Sequence, residues 1–414
     1  MSYRIWYSTE SFADYIIAKT NLAFKSFTKR QIYESDANNS NEFHKVPDHI
    51  KQILYLDAPD LIVEFESEPI FSIEISTEAG SGHNVFQRFP RLVASVENNV
   101  PSFYIYPEAK IIDREQSTRW DRINPQIFKA LDDVMSIFGI PALFYYFPSD
   151  FRTHKNNPRL SPSYANNNSG LRYETNPTFR GNPDSADTEM QDMFRGINEI
   201  INYASKYGVI DGRQKLISNR VLMSRRSLML QEYSLRVGTR VWSPMTATLE
   251  IPTTYLLNYL SSYETGGYLI GELLKSRSET IIYQADSRDF RSDPYCGCLS
   301  AIDYLKCRQG KTFEERRYNL VSVFGKVIID HENKTLKILT EKGSTINNII
   351  SSVIRSEARN LLSKNYSELS NNEIPRYYMQ MRYGSMFSKA KEVRIFAYFA
   401  DAILFPDGAL WRDA

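Results

Sequence analysis

The chain has 414 residues, is 42% hydrophobic and 13% aromatic, and carries a formal net charge of +1. At about 150 residues per domain this length predicts two or three domains, and the apolar share excludes a disordered chain. The balanced charge excludes a globally basic nucleic-acid binder, so any phosphate-binding surface must be concentrated locally. No apolar run approaches the roughly 18 residues of a membrane helix and the N-terminus lacks the apolar region of a secretory leader, so neither a span nor a signal peptide is expected. Three cysteines, Cys296, Cys298 and Cys307, are an odd, low count that suits a reducing cytoplasm. Their spacing matches no structural zinc site and reads as small buried side chains.

In chain order, residues 3 to 7 alternate as a short strand, and Ser8-Thr9-Glu10-Ser11 starts a helix. Glu10 is an acid in a first turn, where the helix dipole favours it, and only a weak candidate for a functional third acid. Residues 35 to 42 read as a loop, and His49 to Leu56 leads into two apolar runs, Leu61 to Phe65 and Ile70 to Ile75. Between those runs lies Glu66-Ser67-Glu68-Pro69, and the whole reads as a β-hairpin. Asp60 stands at the entrance of one strand and Glu74 near the exit of the other, so a tight hairpin brings two carboxylates towards one point. Such a pair suits a hard divalent cation, because Mg²⁺ takes oxygen ligands and keeps several waters for substrate and nucleophile. Beyond a glycine-containing turn, residues 83 to 95 and 100 to 107 give helix and strand, completing a crossover unit. Pro90 sets the start of that helix, since an interior proline costs about 3 kcal/mol.

Pro59-Asp60, a gap of thirteen residues, and Glu74-Ile75-Ser76 together resemble the PD-(D/E)xK nuclease superfamily, to which many type II restriction endonucleases belong. The resemblance implies that Asp60 and Glu74 bind Mg²⁺ with help from the Ile75 carbonyl. The position where the family carries a water-activating lysine holds Ser76, a departure that leaves that role to another residue; Lys45 and Lys51 are the nearest lysines upstream. In the family the following helix often presents a Gln, Lys or Arg to the active site, which here points to Gln87, Arg88 and Arg91. The resemblance further implies a mixed central sheet flanked by helices, α/β in class and α+β overall. It also implies a double-stranded DNA substrate and hydrolysis to 5′-phosphate and 3′-hydroxyl ends.

Residues 110 to 116 are polar, Trp120 to Gly139 has the spacing of an amphipathic helix, and Ile140 to Pro148 reads as a buried strand that closes the sheet. A catalytic domain over 1–150 is thus predicted. Residues 151–187 are rich in Asn, Pro, Ser and Gly and carry Arg159, Arg172 and Arg180 among aromatics, as either a cationic arm or a plain linker. A helix-rich recognition region over 188–414 opens with an apolar-striped helix from Thr188 to Lys206. Next comes the most basic window: Arg213, Lys215, Arg220, Arg225, Arg226, Arg236 and Arg240 against the single acid Glu232. A cationic helix face there would neutralise phosphates. Gly310-Lys311-Thr312 is not a P-loop, since the first glycine of that motif would fall on Leu305, and Lys311 with Arg316 reads as a second cationic patch. Residues 327 to 339 form a hairpin, and residues 345 to 362 a helix.

The expectation is a cytoplasmic, Mg²⁺-dependent, site-specific DNA endonuclease of the restriction type, working as a homodimer on a palindromic duplex. Catalytic residues would be Asp60, Glu74, Ser76, Gln87 and Arg88; DNA contacts would come from Arg91, Arg159, Arg172, Arg180, Arg220, Arg225, Arg226, Lys311 and Arg316. The alternatives are a catalytically decayed nuclease-fold protein that only binds nucleic acid, an α+β protein unrelated to nucleic acid whose hairpin acids face solvent, and a repair or phage nuclease without sequence preference.

Overall fold

A computed structural model describes residues 2–32, 46–54, 58–78, 85, 88–114, 117–154, 169–236, 248–261, 277–284, 318–323, 326–339, 402–405 and 408–411. Two compact units emerge, Met1–Glu34 with Phe43–Val241, and Ser35–Glu42 with Trp242–Ala414.

The first unit is built on a mixed six-stranded sheet. Its elements are β1 (Tyr3–Tyr7), α1 (Glu10–Lys19), β2 (Phe27–Gln31), α2 (Asp48–Leu54), β3 (Leu61–Phe65), β4 (Glu68–Ile75), α3 (Phe89–Glu97) and β5 (Ser102–Pro107). A hairpin of β6 (Ala109–Arg114) and β7 (Ser117–Arg122), then α4 (Gln126–Phe138) and β8 (Ala142–Phe147), complete the crossover units. The strand order is β2-β1-β3-β4-β5-β8, with β3 antiparallel to both neighbours and β4, β5 and β8 parallel. Every residue of β3, β5 and β8 is buried, as expected of strands covered on both faces.

The β3–β4 turn places Glu66 and Ser67 at φ of 52° and 68°. Two left-handed residues in succession give the turn whose twist matches a hairpin. It fixes the register Leu61↔Ile73, Ile62↔Ser72 and Val63↔Phe71, with an irregularity between Val63 and Glu64. Paired residues share a face. Trp6, Ile62, Ser72 and Ser102 therefore lie towards α2 and α3, where Ile50, Ile53, Leu54 and Val100 complete a core. The opposite face carries Phe71, Phe103 and Tyr145, with Phe71 and Phe103 ring centroids 6.0 Å apart.

That second face is covered by residues the sequence assigns to a separate region. Helix α5 (Thr188–Tyr207) packs on β8 and β4, and a Cβ on its Gly196 would meet Tyr145 Oη at 3.0 Å and Phe103 at 3.5 Å. Helices α6 (Val209–Leu216) and α7 (Arg220–Arg236) follow, separated at Asn219, whose side chain accepts from the N–H groups of Val221 and Leu222 and caps the new helix. The compact unit thus runs to Val241, well past the boundary expected near residue 150.

In the second unit a five-stranded sheet has the order β15-β14-β11-β10-β9. Its strands are β9 (Thr248–Pro252), β10 (Glu279–Gln284), β11 (Tyr318–Val323), β14 (Ala402–Phe405) and β15 (Gly408–Trp411). Helix α8 (Thr253–Ser261) packs against the hairpin of β12 (Lys326–Asp330) and β13 (Thr335–Leu339), the hairpin the sequence predicts. The helices expected across 188–414 fall in its first part, whereas the described residues beyond 248 form seven strands and one helix. The three cysteines and the helix expected over 345–362 lie outside the described residues.

Candidate active site

At the carboxyl edge of the first sheet the ends of β1, β4 and β5 meet the start of β3. Ligands of open α/β sheets bind at such an edge. Extending the register one step beyond Leu61↔Ile73 sets Asp60 opposite Glu74, as the hairpin pattern predicts. The Asp60 carboxylate is fixed from both sides. Its Oδ2 accepts from the Ile75 N–H at 2.9 Å, and its Oδ1 accepts from Ser8 Oγ at 3.0 Å. Ser8 is itself tied down, because its N–H donates to the Asp60 carbonyl at 2.9 Å.

Glu74 points to the α3 face and is only 2% exposed. Arg91 Nη1 donates to both of its oxygens, at 3.0 and 2.9 Å, and Arg88 Nη1 donates to Oε1 at 3.0 Å. Arg88 is the N-cap of α3 and Arg91 lies in its first turn; the helix begins at Phe89 with Pro90 in its opening turn, so the proline placed it as expected. Burial pushes the Glu74 carboxyl up to about 8; Arg91 pulls it down, the Asp60 charge adds to the rise, and Arg88 opposes it. The effect of Asp60 on Glu74 marks the two acids as electrostatic neighbours.

Alternation along Ser-Phe-Tyr-Ile-Tyr-Pro sends Ser102, Tyr104 and Tyr106 to the same face. Ser72 Oγ donates to Ser95 Oγ at 2.8 Å and lies 2.7 Å from Ser102 Oγ. Tyr104 Oη donates to the Val85 carbonyl at 2.6 Å, while the buried Tyr106 hydroxyl, beside that of Tyr104, completes no hydrogen bond of normal geometry. Burial and the Glu74 charge raise the Tyr106 phenol above its usual range, against Arg88 and Arg91. Sequence reasoning missed Ser8 and Tyr106. The period of two in β5 was a readable signal for Tyr106; Ser8 needed the strand order, which sets β1 beside β3.

Compared with family models, curated proteins and solved structures, the chain has no match. What the site can do must come from its own atoms. Among the described residues no group of three or more His, Cys, Asp or Glu has a metal-holding arrangement. A cation here would rest on Asp60, Glu74 and the Ile75 carbonyl. That all-oxygen set suits Mg²⁺, which binds through one or two carboxylates plus water. The guanidiniums on both Glu74 oxygens stand where positive charge is favoured, and a cation in their place would meet the same oxygen donors.

Ser76 is buried just beyond β4; its N–H donates to the Ile105 carbonyl at 2.9 Å and its Oγ accepts from the Glu78 N–H at 3.1 Å. Lys51 pairs with Asp48 at 3.0 Å, whereas Lys110 donates to Glu78 at 2.7 Å, bringing a lysine the sequence did not suggest to the end of β4. Glu10 pairs with Lys29 at 2.7 Å. Gln87 and Lys45 lie outside the described residues.

Several expected DNA contacts are used inside the fold. Arg225 is buried, donating to the Phe144 carbonyl at 2.6 Å and pairing with Glu189 at 2.7 Å. Arg226 pairs with Asp132 at 2.7 Å, joining α7 to α4. Their excess over acids, among aliphatics, made them look like a phosphate-facing stripe; Arg225 lies on the buried face of α7 with Leu222 and Met229. Arg172 sits among Asp150, Asp184 and Asp187, bonded to the last. Residues 169–187 are also docked and not a free arm, since Tyr15 Oη donates to the Pro183 carbonyl at 2.8 Å and Asn182 bonds the Ser11 carbonyl at 3.2 Å. Arg180 and Arg220 are exposed, and Arg159, Lys311 and Arg316 lie outside the described residues.

Proposed function

We propose that the first unit is the catalytic core of a Mg²⁺-dependent, site-specific double-stranded DNA endonuclease of the restriction type, leaving 5′-phosphate and 3′-hydroxyl ends. The observation that carries this reading is the meeting of Asp60 and Glu74 across the β3–β4 hairpin, with the Ile75 N–H bonded to Asp60 at the sheet's carboxyl edge. The PD-(D/E)xK resemblance of Pro59-Asp60 and Glu74-Ile75-Ser76 agrees with it. A bound Mg²⁺ would polarise the scissile phosphate and lower the pKa of the attacking water. Asp60, held by Ser8 and the Ile75 N–H, presents a carboxylate of fixed orientation. Arg88, the more exposed of the two arginines, is placed to neutralise phosphate, and Gln87 would assist beside it. Ser76 carries no base and leaves water activation to the metal or to a second group such as Lys110.

Recognition of a palindrome by two copies suits an enzyme that cuts both strands, and a reducing cytoplasm suits the cysteine count. Among the described residues no helix is long and apolar enough to cross a membrane. One rival reading is favoured by specific observations: Ser76 in the lysine position and two guanidiniums on Glu74 would also mark a decayed nuclease that only binds nucleic acid. Incubating plasmid and genomic DNA with the protein and Mg²⁺ separates them. Discrete fragments lost in Asp60→Ala support the endonuclease, a ladder indicates cutting without sequence preference, and duplex binding with no cutting under any divalent metal supports the decayed form.

A further inference from the structure

The two candidate metal carboxylates are held differently. Asp60 is oriented by neutral donors, the Ser8 hydroxyl and the Ile75 N–H, and keeps its charge uncompensated by them. Among the described residues Glu74 accepts hydrogen bonds from cations, Arg91 on both oxygens and Arg88 on one. Side-chain exposure rises outward along this cluster, from 2% at Glu74 to 12% at Arg91 and 36% at Arg88. A divalent ion approaching Glu74 therefore meets positive charge at hydrogen-bonding distance, where like charges repel strongly because water is scarce. A phosphodiester offers the same guanidiniums an anionic acceptor with matching fork geometry, and Arg88 is exposed enough to reach it. The two ligands of a nuclease thus compete for opposite halves of one ion cluster.

We propose that Arg88 and Arg91 occupy Glu74 in place of a metal ion until nucleic-acid phosphate draws the guanidiniums away, so that divalent cation and duplex load the site cooperatively. The inference rests on the nuclease reading and adds a regulatory property to it: the free protein is a poor metal binder and becomes a good one on DNA. When only a small fraction of molecules has Glu74 released, apparent metal affinity falls by that fraction. Linkage requires reciprocity, so the cation tightens duplex binding by the same factor. Asp60 is the standing ligand and Glu74 the conditional one.

Calorimetric titration of the full chain with Ca²⁺ at pH 8.5, alone and with sheared genomic duplex DNA, tests this in wild type, Arg88→Gln, Arg88→Lys and Asp60→Asn. Without DNA, Arg88→Gln should bind Ca²⁺ on the order of tenfold more tightly than wild type, while Arg88→Lys, which keeps the charge on Glu74, stays near wild type. With DNA, wild type should gain a similar factor and Arg88→Gln less. Wild-type affinity unchanged by duplex, or Arg88→Gln no tighter than wild type, overturns the coupling; if Asp60→Asn still weakens Ca²⁺ binding in those experiments, the nuclease reading survives. Ca²⁺ binding that is indifferent to Asp60→Asn in every condition overturns both.

Discussion

Two buried arginine–carboxylate clusters sit on the same sheet and serve different ends. At the outer edge of the sheet, Arg225 donates to the Phe144 carbonyl, pairs with Glu189 and lies 4.3 Å over the Tyr145 ring. Glu189 accepts from the Tyr146 N–H at 3.2 Å, and Met229 sulfur accepts from the Phe144 N–H at 3.3 Å. Side chains of α5 and α7 thereby satisfy the open backbone groups of β8 and close an edge that would otherwise pair with another chain. At the carboxyl edge, Glu74 receives guanidiniums among the described residues, sits beside a second acid, and has next to it a tyrosine hydroxyl without a well-formed partner there. Burial of a charge does not mark function. A cluster whose groups are tied to backbone is structural, whereas one in which a buried carboxylate is held by a partly exposed guanidinium can be rearranged by a ligand.

The largest expected effect breaks the structural half of that contrast. Arg225→Ala strands Glu189 and the Phe144 carbonyl, and loss of one partner of a buried pair costs about 3–5 kcal/mol. Urea unfolding should show this, together with self-association through the uncovered β8 edge. A midpoint within error of wild type would mean that the edge is closed by something else.

Next in size is a pH effect at Glu74. With its carboxyl raised to about 8, Glu74 is the anion of the ion cluster above that pH, and below it the folded chain holds a proton that the unfolded chain releases near the ordinary carboxylate value. Between those limits the native state binds more protons, so Glu74 stabilises fully below the unfolded value and progressively less as pH rises through about 8. Glu74→Gln removes this dependence. Its unfolding free energy should gain on wild type by a few kcal/mol between pH 5 and pH 8.5. Parallel pH profiles for the two proteins would show that the arginines keep Glu74 ionised throughout.

A smaller effect sharpens the functional half. Ser8→Ala removes one hydrogen bond to Asp60 and should cost about 1 kcal/mol of stability, yet lower Mg²⁺-dependent cleavage by about tenfold or more, as loss of a ligand's supporting partner does. Ser8→Thr, which keeps the hydroxyl, should restore cleavage. The smallest is Ser67→Gly, which relieves a left-handed residue in the hairpin turn and should stabilise by roughly 1 kcal/mol with cleavage unchanged.

How much of this was legible in the sequence depended on whether the signal was local. The hairpin of residues 61–75 was, because two apolar runs and a tight polar turn determine register, and register alone sets Asp60 against Glu74. Helix α4 was readable only in part: Trp120 fits its apolar spacing, but β7 continues to Arg122, and Asn124 accepts from the Gln126 N–H to start the helix there. Charge counting over Arg225 and Arg226 cannot tell a cation facing water from one that completes a sheet edge formed eighty residues earlier, as Arg225 does, or one that pairs with an acid of another helix, as Arg226 does. Ser8 belongs to the same class, since its partner Asp60 is neighbour only through the β1–β3 pairing.

The central claim is that Asp60 and Glu74 form one metal site that opens on nucleic acid. Anomalous diffraction from crystals of the protein grown with duplex DNA and Mn²⁺ tests it most directly. The account predicts a Mn²⁺ peak bound by Asp60, Glu74 and the Ile75 carbonyl, with Arg88 moved onto a phosphate. A duplex-bound crystal with no peak there and both arginines still on Glu74 would contradict it.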